Sequence, residues 1–281
     1  MVNVEATIYD TAALAEAALD ALDTSVQAHV EAYEDRGVTK WMVVVTGPAK
    51  TDFFKTGFNA DVDAAEEDLW SVGGSYVFPD AEMGMEVVSS SADDTATDGT
   101  GARTVKFWYL NSSGVEKSEI VTLDGVTPVA TTATDIYRVN AFRVLTAGAG
   151  GKAAGDIDIR HVDDTPIYSR IPVGYTRARN SIYTVPAGKT LCISQVMFSA
   201  GSSSGGHYCR FTLNASYDDK IGVVSSMFYP YYEIGIEDGA FESCVDTPVK
   251  LPAMTDVKIS VVGDATNANA ICTGSYRGWL E

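Results

Sequence analysis

The sequence predicts a mainly β chain, in which a small N-terminal α/β region precedes two antiparallel β-sandwich domains of jelly-roll-like build. Three observations predict this. Helical periodicity is confined to one segment near the N-terminus. From residue 81 onward the chain is a succession of short runs rich in Val, Ile, Thr, Tyr and Phe, residues that suit a pleated, half-buried surface. Between those runs stand groups of Gly, Pro, Asn, Asp and Ser, each with turn-forming chemistry. The expected divisions are an α/β docking region over 1–80, a sandwich over 81–164 and a second sandwich over 165–281.

The helix is expected at 11–36, because Leu14, Ala18, Leu22, Val26, Val30 and Tyr33 recur every three or four residues and so share one helical face. Asp10 or Thr11 is the expected N-cap, and Gly37 the left-handed residue that ends the helix. Val38–Thr46 is β-branched and aromatic and is expected as a strand, stopped by Gly47-Pro48. The acidic stretch Asp61–Trp70 predicts a short second helix.

In the middle third, strands are expected at 86–91, 103–110, 118–123, 137–145 and 156–160. Asn111-Ser112-Ser113-Gly114 and Asp124-Gly125 supply the turns. In the last third they are expected at 181–185, 191–199, 208–215, 222–229, 247–251, 256–262 and 270–276. Turn residues punctuate nearly all of these runs, which is the spacing of a sandwich or jelly roll.

Composition sets limits on function. With a formal net charge of −18 over 281 residues, nucleic acid is not expected as a partner, since phosphate binding needs concentrated Lys and Arg. No apolar run reaches the roughly 18 residues of a membrane span, and Met1-Val-Asn-Val-Glu5 has neither the basic start nor the apolar run of a secretory signal.

Cys192, Cys209, Cys244 and Cys272 form no C-x-x-C pair and match no zinc spacing, so buried free thiols are expected, with disulfides the alternative in an oxidising medium. His29, His161 and His207 lie in three different regions. His29 is placed beside the apolar stripe of the helix, His161 near Asp163 and Asp164, and His207 beside Cys209 without the geometry of a nucleophile and its base. The metal candidate is the turn Asp93, Asp94 and Asp98, which fails the EF-hand pattern and reads otherwise as a solvated turn. Gly148–Lys152 lacks the full phosphate-loop motif and the helix that should follow it. No cofactor and no catalytic residue is expected.

The densest aromatic segment is Phe228, Tyr229, Tyr231 and Tyr232 around Pro230. Neighbouring side chains of an extended chain point to opposite sides, so part of this group is expected on an outer surface, as an intersubunit or receptor contact.

Glu86–Asp94, Gly99–Val105 and Val121–Ala130, then Tyr183–Thr190, Thr255–Ser260 and the terminal Gly278-Trp279-Leu280, together resemble a module of tailed-phage virion proteins over about 65–281. The resemblance implies a non-enzymatic structural component of a phage particle, assembled in a host cytoplasm. Its place is left open among head decoration, neck, baseplate and fibre. It implies a homo-oligomer, most simply a trimer on a symmetry axis, with other virion proteins as partners. Two other readings stand beside it: a module binding a host receptor or surface glycan, and an enzyme degrading surface polysaccharide.

Overall fold

The computed structural model describes residues 5–20, 26–35, 38–48, 50–201, 207–264 and 269–281. They fall into two units, Met1–Phe53 with Trp279–Glu281, and Phe54–Gly278.

The first unit holds β1 (Glu5–Tyr9), α1 (Ala12–Asp20), β2 (Val26–Asp35) and β3 (Val38–Pro48), with the three strands in the antiparallel order β1-β3-β2. Thr11 caps the helix: the Leu14 amide donates to its Oγ1 at 3.3 Å, which satisfies one of the orphan donors of the first turn. The helix expected through residue 36 ends at Asp20, and Val26–Asp35 is a strand instead, paired with β3 from Val26↔Pro48 to Asp35↔Val38. Val26, Ala28, Val30 and Ala32 satisfy a period of two as readily as one of four, so the pattern alone was ambiguous. The strand expected at 38–46, which continues through Gly47 to Pro48, decides it by pairing along the whole of β2. Gly37 lies outside the described residues.

β4 (Thr51–Val62) and β5 (Glu67–Asp68) follow. The helix expected over 61–70 is absent, and the reason lies in its acids. Asp68 is buried, accepting from the Tyr76 amide at 2.7 Å, and Glu67 accepts from the Gly74 amide at 2.7 Å. These carboxylates hold a tight loop, leaving no polar face for a helix to present to water.

Next come β6 (Glu86–Ser89), β7 (Ala102–Leu110), β8 (Glu116–Thr122), β9 (Val129–Ala130), β10 (Arg138–Ala147), β11 (Ile157–Arg160) and β12 (Ile167–Ile171). They form two sheets, β10-β7-β8 and β12-β11-β6-β9. Val105 and Phe107 of β7, Phe142 of β10, Val87 of β6 and Ile157 and Ile159 of β11 meet in one core, the signature of sheet on sheet. The β7–β8 turn forms as its residues predict. The Gly114 amide donates to the Asn111 carbonyl at 2.8 Å, and Gly114 takes a φ of 76°, which favours glycine.

The last group is β13 (Tyr183–Thr184), β14 (Leu191–Gly201), β15 (Tyr208–Asp218), β16 (Val223–Glu237), β17 (Gly239–Leu251), β18 (Asp256–Gly263) and β19 (Ala270–Leu280). One sheet runs β13-β18-β15-β16, with β5 also on β18; the other runs β17-β14-β19-β4. Phe198 of β14 stacks on Phe211 of β15 at 5.2 Å, so these sheets too share a core. β4, from the segment expected to form the docking region, is an outer strand of this pair. Gly278 allows the close approach of β14 and β19, since a Cβ there would lie 1.8 Å from the Cys192 carbonyl oxygen.

Candidate functional site

The residues with the most chemistry gather where β10, β13, β18 and the 67–80 segment meet. Arg138 opens β10 and Asp256 opens β18. Their side chains form a two-pronged ion pair, Nε to Oδ1 and Nη2 to Oδ2, each at 3.0 Å, the geometry that suits a planar guanidinium. A third nitrogen of Arg138 donates to the Pro79 carbonyl, and the Thr184 hydroxyl donates to Asp256. The guanidinium lies 3.9 Å from the Tyr137 ring centre and 5.1 Å from that of Phe78. Asn140 completes the seam by copying a backbone partner: its side chain donates to the Thr184 carbonyl at 2.8 Å and accepts from the Thr184 amide at 2.9 Å.

Phe78 leads to a second charged pair. Its ring packs on Phe228 at 5.5 Å, Phe228 lies under the Lys258 amine at 4.8 Å, and that amine bonds Asp68 Oδ1 at 2.8 Å. Burial raises the pKa of Asp68 more than Lys258 lowers it.

The four aromatics of β16 are all half-buried. A bulge where Asn214 pairs with Pro230 and Leu213 with Tyr232 leaves Tyr231 as the extra residue. Tyr229 and Tyr232 stand opposite the buried Ala215 and Leu213. Tyr232 packs between Phe198 and Phe241, at 6.2 and 6.0 Å, and the Tyr231 hydroxyl donates to the Tyr217 carbonyl at 2.8 Å. Phe228 is on the opposite side, covered by Phe78 and Lys258.

Of the three turn carboxylates, Asp93 and Asp98 are exposed and Asp94 is fully buried. Asp94 accepts four hydrogen bonds, from the Ser89 hydroxyl at 2.6 Å and the amides of Ala102, Ala154 and Gly155 at 2.6, 2.9 and 2.9 Å. It fastens the ends of β6, β7 and β11 together. A carboxylate surrounded by donors offers its lone pairs to hydrogen atoms rather than to a cation. Among the described residues no group of three or more His, Cys, Asp or Glu is placed to hold a metal. The amides of Gly148 and Gly150 are likewise engaged, with the carbonyls of Gly101 and Thr100.

The histidines lie apart. His29 is on strand β2 rather than on a helix, 2.7 Å from Glu31. The Asp163 amide donates to His161 Nδ1 at 3.1 Å, a local turn contact. His207 Nδ1 faces Asp264 Oδ1 at 3.3 Å, while the neighbour of Cys209 is Cys272.

Sequence reasoning missed Lys55, on β4. Its amine donates to the Asn140 carbonyl at 2.6 Å and lies 3.4 Å from Asn180 Oδ1. Burial, and then the charge of Arg143, lowers its pKa to about 7. Near neutrality and above, the unfolded chain therefore binds more protons at this site, so its penalty is full below pH 7 and fades as pH rises toward the unfolded pKa. Lys55→Met is expected to stabilise the fold by roughly 1–3 kcal/mol at pH 6, after the lost hydrogen bond is counted. The gain should shrink by pH 9.5 in urea titrations; a gain independent of pH would show that the amine is not the cause.

No known protein family matches this chain, and no curated protein does. Among solved structures it is similar to T=1 particles derived from infectious bursal virus, at 11% identity, with 100% of this chain and 68% of that chain covered and a TM-score of 0.21. A VP2 subviral particle of infectious bursal disease virus gives 10% identity, 100% and 71% coverage and a TM-score of 0.19. Likeness this slight assigns neither fold nor function. These structures are not tailed-phage proteins, and the resemblance to tailed-phage virion proteins is corrected accordingly. With it go attachment to a phage head or tail and the tail-fibre receptor module. The segments that carried the resemblance are turns and short strands, such as Gly99–Thr104, whose composition follows from β-turn chemistry in any ancestry.

Proposed function

We propose that this chain is a non-catalytic structural subunit of a virus particle that works by assembling with copies of itself, through two jelly-roll-like sandwiches. One observation carries the reading: the convergent polar groups of the second unit are spent on joining strands. Asp94 ties three strand ends, Arg138 with Asp256 and Lys258 with Asp68 tie distant segments, and Arg170 grips Asp158 through two contacts of 2.6 Å across the β11–β12 ladder. Such networks give rigidity. A catalytic pair would instead be expected to face an open cleft.

We infer that the contact with a second copy uses β16, near Phe228, Tyr229, Tyr231 and Tyr232; β16 is an outer strand of its sheet. Unpaired strand edges are templates for pairing, and Val223, Val224 and Met227 on this strand are exposed, Met227 at 62%. A closed oligomer, most simply a trimer, is expected by light scattering of the full chain. Met227→Lys with Val224→Lys should dissociate it and leave the melting temperature unchanged. A protein that stays monomeric up to its solubility limit overturns the proposal.

A further inference from the structure

Two of the four cysteines meet across the second sandwich. Cys209 is on β15 and Cys272 on β19, strands of opposite sheets. Both side chains are fully buried, and their sulfurs lie 3.6 Å apart. Two thiols in such a contact can be joined covalently by a two-electron oxidant. Of the other two, Cys192 is buried, on β14, and Cys244 is exposed, on β17.

We infer that Cys209 and Cys272 are a dithiol site that a small hydroperoxide oxidises to a disulfide joining the two sheets. The remaining approach to a bonding distance of about 2.05 Å is of the size that side-chain rotation and slight sheet compression supply. Hydrogen peroxide is small enough to reach a buried pair through local opening of the sandwich. The pair sits near the strand ends, since Cys209 is the second residue of β15 and stands opposite Gly263, the last of β18.

The roles of the two sulfurs follow from their contact. The Cys272 thiol donates to Cys209, so the Cys209 pKa is lowered while that of Cys272 is raised. Asp264 and Asp238 oppose the thiolate at Cys209 without reversing this order. Cys209 loses its proton and attacks one peroxide oxygen; the O–O bond breaks, and the other oxygen leaves as hydroxide and takes up that proton as water. Cys209 is then a sulfenic acid. The Cys272 sulfur attacks it, the S–O bond breaks, and the departing hydroxide takes the Cys272 proton as a second water. The two sulfurs have each given one electron to the peroxide. The resulting link closes a long loop of the chain and so restricts the unfolded state.

The test uses the full chain carrying Cys244→Ser, which removes the exposed thiol, with hydrogen peroxide as the probe. Intact mass should fall by two hydrogens, and non-reducing peptide maps should join the Cys209 and Cys272 peptides. The melting temperature should rise by roughly 4–16 °C and return with dithiothreitol. Cys272→Ala in the same background should abolish the link; if that variant does not fold, the peptide map of the parent decides alone. Oxygen adducts without a crosslink, a crosslink through Cys192, or thiols that survive until the fold is lost would each overturn the inference. Without peroxide, reductant should leave the melting temperature unchanged.

Discussion

Arg138→Ala is expected to destabilise the second unit by about 3–5 kcal/mol, the range for breaking a buried ion pair from one side. The side chains of Arg138 and Asp256 are only 10% and 14% exposed, so the loss leaves a carboxylate with little water to replace the guanidinium. It also leaves the Pro79 carbonyl without its Arg138 donor and removes the cation from between the Phe78 and Tyr137 rings. Asp256→Ala should cost a comparable amount. The double variant Arg138→Met with Asp256→Leu should cost far less than the two single changes together, because no charge is then buried alone. Urea unfolding of the parent, Arg138→Met, Asp256→Leu and this double variant gives the coupling energy directly. A single-variant cost below 1 kcal/mol would mean that water reaches the seam and that the pair behaves as a surface contact.

Asp94→Ala should be about as damaging, by a different route. Here no charge is orphaned; instead the Ser89 hydroxyl and the amides of Ala102, Ala154 and Gly155 all lose the acceptor they share. Each buried donor left unsatisfied costs about 1–3 kcal/mol, so a total loss of roughly 4 kcal/mol or more is expected even if a water enters the space. Asp94→Asn should do little better, because its amide nitrogen would face donors. Gly101→Ala reaches the same site from outside, since its Cβ would fall 2.2 Å from Asp94 Oδ1. Amide exchange reads the effect locally: residues 102, 154 and 155 should lose protection first in Asp94→Ala. Unchanged protection there would remove Asp94 from its role as the fastening of this sandwich.

How much of this was legible in the sequence depends on the range of each interaction. The cap at Asp10 or Thr11, the Asn111–Gly114 turn and most strands from 86 onward were readable, because each rests on the backbone preferences of a few adjacent residues; β9 and β12 were not expected, and β16 and β17 only in part. Asp94 could be picked out only as one acid in a polar turn. Its burial is set by Ala154 and Gly155, some 60 positions away. The alternation of an extended chain could divide the aromatics of β16 between two sides, but that Phe78 packs on Phe228 no local pattern could reveal.

The sequence by itself determined that this is a β-rich, acidic chain with a helix near its start and turns at predictable places, but it carried that helix to residue 36 where it ends at Asp20, and it predicted a second helix over 61–70 that does not form. Only the tertiary structure decided that Val26–Asp35 is a strand, that β4 belongs to the last pair of sheets, that Arg138 faces Asp256 across a separation of 118 residues and that Cys209 touches Cys272. The physical reason is that propensity and capping are each worth a few tenths to about 1 kcal/mol within a single turn or strand. Strand partnership and burial gather many contacts from residues far apart in the chain, and where the two disagree the larger sum prevails.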